Sequence, residues 1–144
     1  MSEQQIETNR LLVYRFYHEL WNNWQFDIIS DLLSPDLVFH GSLGTQKTGH
    51  EGFIEYANQV RSAFPDFKNS VEDIIAEEQK VAACLTFQGT HEGKIFGIEP
   101  TGRTIQFVGI GVFVFRADLI SHIWVLGDRL SLLQQLSDRD PITE

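Results

Sequence analysis

Residues Arg103 to Leu136 read RTIQFVGIGVFVFRADLISHIWVLGDRLSLLQQL. Ile105 to Phe115 is dominated by Val, Ile and Phe and bounded by Gly102 and by Arg116-Ala117-Asp118, the composition and length of a strand. Leu119 to Leu126 is a second such run, ending on the carboxylate of Asp128. Together they predict a hairpin with Ala117 and Asp118 at its tip. Unbroken antiparallel pairing from that tip sets Phe107 opposite Asp128, Gly111 opposite Trp124 and Phe113 opposite His122, all on one face. Gly111 would then leave room for the Trp124 indole. The other face carries Val108, Ile110, Val112, Ile123 and Val125. With both faces apolar, both need cover. Helices are expected over one, and a second copy of the chain against the other, giving a homodimer or homotetramer through the outer sheet face.

Working back toward the N-terminus, Val13, Phe16, Tyr17, Leu20, Trp21 and Trp24 recur at helical spacing and predict a helix over Thr8 to Trp24. Asp27 to Leu33 predicts a short helix stopped by Ser34-Pro35. Asp36 to His40 reads as a short strand with Val38 and His40 on one face. Gly41 to Gly49 is a polar loop, and His50 to Phe64 a helix burying Phe53, Ala57, Val60 and Phe64 before Pro65. Phe67 to Ala76 and Val81 to Thr90 read as paired strands around a charged turn, with Val81, Ala83, Leu85 and Phe87 on one face. Leu130 to Leu136 predicts a short terminal helix. Three helices followed by a four-stranded meander is an α+β layout, read as one domain over 1–144.

Composition narrows the function. A net charge of −9 with 11 scattered Lys and Arg residues argues against nucleic-acid and acidic-membrane surfaces. The lone Cys84 cannot form an internal disulfide, which fits a reducing compartment. MSEQQIETNR has no signal-peptide character, and no apolar run reaches membrane-spanning length, so a cytoplasmic location is expected. No phosphate-binding glycine loop, nucleophile elbow or paired-cysteine motif is present.

Several stretches share one pattern: FYHELWNNWQFDIISDLLSPDLVFHG, FPDF, VED, GTHEGKIFGIEPTGR, VGIGVF and IWVLGDRLSLLQQL, in that order. Together they resemble the SnoaL-like polyketide cyclases of the nuclear-transport-factor-2-like, cystatin-cone superfamily, over roughly Asn9 to Leu136. The G-T-H-x-G…G-x-x-P-T-G loop and the W-x-x-x-D-x-L-x-L-L-Q-Q-L ending carry most of the likeness. The resemblance implies a curved antiparallel sheet wrapped around N-terminal helices, a cone with an apolar cavity. It also implies ring closure of a polyketide ester by intramolecular aldol condensation without metal or cofactor, and Asp128 as the general acid/base.

That chemistry needs a base for a carbon acid and a donor for the carbonyl that becomes a hydroxyl. Burial of Asp128 among Phe107, Leu126 and Trp124 would raise its pKa and make it a better base. Asp is also a favoured N-cap for the helix that follows, and the two roles are compatible. His122 or His40 could assist, although a strand histidine is more often a hydrogen-bonded core or rim residue. Neither has a second ligand at metal-binding spacing. The expected ligand-binding residues for a small apolar or aromatic molecule are His40, Tyr17, Trp21, Phe53, Phe107, Phe113 and Trp124. The alternatives to a cyclase or isomerase are a non-catalytic binder of an apolar ligand and a dimerisation module whose cone is plugged by aromatic side chains.

Overall fold

The computed structural model describes residues 2–137. Ser2 caps α1 (Glu3–Arg15) by accepting the Gln5 N–H at 3.1 Å. The helix continues as a π-helical segment, Phe16–Asn22, that buries Phe16, Tyr17, Leu20 and Trp21. The predicted apolar stripe is therefore found from Val13 to Trp21, with the wider i→i+5 winding that often accompanies functional sites, but the helix ends at Asn22 and Trp24, at φ +57°, lies beyond it. A 3₁₀ turn, Phe26–Ile28, leads into α2 (Ile29–Leu32). Next come β1 (Leu33–His40), β2 (Lys47–Thr48) and α3 (Gly49–Ala63), the last stopping before Phe64-Pro65 as expected. β3 (Lys68–Glu77), β4 (Lys80–Thr90), β5 (Thr104–Arg116), β6 (Leu119–Gly127) and α4 (Arg129–Leu136) complete the order.

The strands form one curved, unclosed sheet in the order β2-β1-β6-β5-β4-β3. The α+β cone is as predicted, but β1 runs parallel to β6 and the sheet is mixed, not wholly antiparallel. That pairing joins segments from opposite ends of the chain, and no local pattern encodes it. The helices cover the concave face, where Val81, Ala83, Leu85 and Phe87 meet Phe16, Tyr17 and Phe53 in one continuous core. At about 25 cal/mol per Å² of apolar area removed from water, burial at this face is the main force holding helices to sheet.

The predicted hairpin register holds for two pairs and then shifts. Ala117 and Asp118 both have positive φ, the two-residue turn geometry that matches strand twist, and Arg116↔Leu119 and Phe115↔Ile120 pair as expected. A bulge follows. Beyond it Val114 pairs with His122, Phe113 with Ile123, Val112 with Trp124 and Gly111 with Val125. Ser121 sits at the extra position and its hydroxyl donates to the Val114 carbonyl at 3.1 Å. One inserted residue exchanges the faces of every later side chain on β6. Ile123 and Val125 thus point into the core, while His122, Trp124 and Leu126 join Val108, Ile110 and Val112 on the convex face. Gly111 accommodates the Tyr17 hydroxyl instead of the Trp124 indole: a Cβ there would stand 3.0 Å from that oxygen.

Candidate active site

Inside the cone lies a small cavity of about 20 Å³, walled by Tyr17, Trp21, Phe39, Tyr56, Phe87 and Val125 among others. That is room for about one water. Phe53 and Phe113, expected to contact ligand, are buried in the packing behind the wall, Phe113 edge-on to Phe16 at a ring separation of 5.4 Å and Phe53 edge-on to Trp21 at 5.6 Å. Phe107 is likewise buried, against Phe87 at 4.9 Å. Tyr17 and Trp21 do line the cavity. The Tyr17 hydroxyl is buried with no hydrogen-bond partner among the described residues, and burial pushes its pKa far up, so it is a neutral donor held in reserve.

The cavity shares Leu43, Tyr56 and Val60 with a wider groove of about 340 Å³ that is also walled by Gln59, Ser62, Lys94, Ile95 and Phe96. This outer vestibule has the volume of a small-molecule site. The wall that cavity and vestibule share is packed by the loop following β1. A Cβ on Gly41 would stand 2.2 Å from Cζ of Tyr56, and one on Gly44 would stand 3.1 Å from Cε2, so both glycines make room for this phenol. The Leu43 N–H donates to the Tyr56 hydroxyl at 3.0 Å. Tyr56 escaped the sequence reading because it lies next to the stripe residue Ala57. Gly41 and Gly44 of the 41–49 loop were the available signal that something bulky packs there.

Asp128 stands where the last strand meets α4, but its side chain is exposed. The expected burial among Phe107, Leu126 and Trp124 is not found, because the bulge turns Leu126 and Trp124 outward. Its carboxylate accepts the Ser131 N–H at 3.0 Å and caps α4, the role Asp favours at that position. The residues on either side of it nonetheless touch the walls. A Cβ on Gly127 would meet Ser42 at 3.1 Å and Phe107 at 3.2 Å, and the Arg129 guanidinium lies 4.3 Å over the Phe96 ring.

His40, His122 and Trp124 were expected in the cavity and lie instead on the convex face. β1 brings His40 beside Trp124, with rings stacked at 5.0 Å, and His40 stacks on His122 at 5.2 Å. His122 Nε2 is buried without a partner among the described residues, and burial, helped by neighbouring His40, holds the His122 pKa below its ordinary value. The unfolded chain therefore binds this proton more readily. Stability is full above the unfolded value of about 6.5 and is lost as pH falls through the depressed folded value. The melting temperature of His122→Phe is expected to fall less than that of wild type between about pH 7 and about pH 5. Parallel declines would show that this imidazole is not the group responsible.

The G-T-H-x-G motif proves architectural. His91 is fully buried, its Nδ1 accepts the Thr101 N–H at 3.1 Å, and its backbone pairs with Gly102 and Arg103. The Glu92 and Gly93 amides donate to the Ala63 carbonyl, and a Cβ on Gly93 would stand 2.0 Å from the Ser62 oxygen. The loop is thereby clamped to the end of α3, carrying Ile95 and Phe96 to the vestibule wall. Among the described residues no group of three or more His, Cys, Asp or Glu side chains is placed to hold a metal, and no helix is long and apolar enough to cross a membrane.

The profile of the SnoaL-like polyketide cyclases matches residues 11–136. The chain belongs to that family. Its relatives include the aklanonic acid methyl ester cyclase AcmA of Streptomyces galilaeus, 29% identical over an alignment spanning 100% of this chain and 97% of AcmA. Among solved structures, a protein from Jannaschia sp. CCS1 assigned as a SnoaL-like polyketide cyclase superposes with a TM-score of 0.87 at 18% identity, covering 97% of this chain and 99% of that one. IdmH of Streptomyces antibioticus, assigned as a polyketide cyclase, superposes with a TM-score of 0.77 at 26% identity, covering 89% and 97%. The SnoaL-like profile thus spans the helices and strands that build both the cavity and the vestibule.

Proposed function

We propose that this member of the SnoaL-like family is a cofactor-independent cyclase that closes a ring of a small, mostly apolar carbonyl ester by intramolecular aldol reaction, with Asp128 as acid/base. Asp128 removes a proton from a carbon flanked by two carbonyls. The resulting enolate forms the new carbon–carbon bond, and the carbonyl oxygen that becomes an alkoxide takes a proton back, so no net proton or electron is gained or lost. The observation that carries this reading is the position of Asp128 between two residues that touch the site: Gly127 against Ser42 at the cavity and Arg129 against Phe96 at the vestibule. The vestibule takes the body of the substrate, and Tyr17 supplies a donor to any part that reaches the inner cavity. With Asp128 exposed, the activation comes from the substrate, whose two carbonyls acidify the carbon proton.

Aklanonic acid methyl ester, named for the relative AcmA, is the first substrate to try. Purified protein without added metal or cofactor is expected to convert it to a cyclised isomer of equal mass. Absence of both conversion and binding would overturn the reading. A non-catalytic carrier of an apolar ligand is the second reading, favoured by the exposure of Asp128 and its engagement as a helix cap. Under that reading the ester binds and is released unchanged.

The assembly belongs to the same proposal. Val108, Ile110, Val112, Trp124 (59% exposed) and Leu126 (76% exposed) form a contiguous apolar surface on the convex face, larger than isolated surface residues need. A second copy of the chain covers it. Wild type is expected to sediment as a dimer or tetramer at micromolar concentration and Trp124→Glu as a monomer. A wild-type monomer at that concentration would refute the assembly.

A further inference from the structure

We propose that the Tyr56 hydroxyl donates the hydrogen bond that stabilises the oxygen gaining negative charge at the site, with the Arg129 guanidinium as countercharge at the mouth. The inference rests on the aldol reading above and deepens it by naming the group that meets the developing alkoxide. Three residues wall both the inner cavity and the vestibule, Leu43, Tyr56 and Val60, and Tyr56 alone among them has a polar side chain. Tyr56 therefore borders both spaces, and its hydroxyl lies beside Leu43 and Ser42, both of which line the inner cavity. Tyr17 lies deeper, under Gly111.

Tyr56 is held as a donor should be. Gly41 and Gly44 wrap its ring, and the Leu43 N–H donates to its oxygen at 3.0 Å, which polarises the phenol and leaves its own proton to give. Burial pushes its pKa up to about 12, so it keeps that proton at neutral pH and acts as donor, not base, while hydrogen bonds from the Leu43 N–H and the Ser42 side chain, and least of all nearby Arg129, work in the opposite direction by favouring negative charge. A preorganised donor aimed at developing charge in a site shielded from water is the usual means of stabilising an oxyanion. Arg129 is itself placed by an unusual turn. Ile95 and Ile98 bond to each other in both directions, forcing Phe96 to φ +52° beside Gly97 at φ +75°. A bulky residue rarely adopts that conformation, and strain of this kind clusters at ligand sites. The turn holds the Phe96 ring on the vestibule wall, where the guanidinium lies over it.

Alizarin, a planar hydroxyanthraquinone that changes colour on ionising, tests this without turnover, its phenolate standing in for the alkoxide. Titrated in the presence of wild-type protein, the bound dye is expected to ionise at lower pH than the free dye. In Tyr56→Phe, with folding checked by near-UV circular dichroism, the preference for the bound anion is expected to fall roughly 10- to 100-fold. Arg129→Gln, at an exposed helix start, should give a smaller loss that salt erases in wild type. Equal ionisation of bound dye in wild type and Tyr56→Phe overturns this inference and leaves the aldol reading standing. Failure of wild type to bind the dye overturns the vestibule as a ligand site, and both fall. If Tyr56→Phe does not fold, an unchanged bound-dye titration in Arg129→Gln overturns the inference.

Discussion

Asp128→Asn is expected to lower turnover of the probe ester about 10²- to 10⁴-fold while leaving ligand affinity and the melting temperature near wild type. The amide cannot take a proton from carbon, so the acid/base contribution is lost. It can still accept the Ser131 N–H, and Asn caps helices about as well as Asp, so α4 stays in place. Asp128→Ala provides the complement: it removes both functions and costs roughly 1 kcal/mol of stability through the lost cap. The pair separates the observed helix cap from the proposed acid/base role. Unchanged turnover in Asp128→Asn would assign Asp128 to capping alone and move the base elsewhere. Binding without turnover in wild type would favour the carrier.

Phe53→Ala should give the largest loss of stability, about 3 to 5 kcal/mol. Phe53 is fully buried on α3 and its ring meets Phe39 at 5.1 Å, Phe16 at 5.4 Å and Trp21 at 5.6 Å. It therefore joins α3 to both β1 and the π-helical segment, and no small movement of one element can fill the space it leaves. Against a typical total stability of roughly 5 to 15 kcal/mol, the loss should lower the melting temperature by about 10 °C or more. A chemical-denaturation difference below about 1 kcal/mol would show that the aromatic cluster does not hold the helices to the sheet. Because Phe53 lies behind the cavity wall, the same variant is expected to bind ligand while folded, which distinguishes a packing residue from a contact residue.

The elements of this protein were legible because their signals are local. The stripe from Val13 to Trp21 identifies the first helix, Phe64-Pro65 ends α3, and the Arg116 to Leu119 turn places the hairpin tip within a residue of its position in the structure. The motifs at Gly89 to Gly102 and at Trp124 to Leu136 were sufficient to identify the family and hence the cone. The capping role of Asp128 was also legible, since a carboxylate opening an apolar helix is a cap on its own evidence. Tyr56 was not, because its importance comes from the loop at Gly41 to Gly44 folding over it from another element.

By itself, then, the sequence determined which segments become helix and strand, where they turn, and which family the chain resembles, all of which depend on side-chain periodicity and on residues close together along the chain. Only the tertiary structure decided which face of β6 is inside. A single bulge at Ser121, stabilised by its bond to Val114, reverses the parity that alternation alone would assign. Through that reversal His122 and Trp124 leave the cavity for the convex face and join His40, delivered by a parallel pairing between the two ends of the chain. The physical reason is that an unpaired extra residue costs little locally, yet its effect propagates to every side chain beyond it. Its position is chosen by which arrangement buries Ile123 and Val125 against the helices, a choice made only when sheet and helices meet.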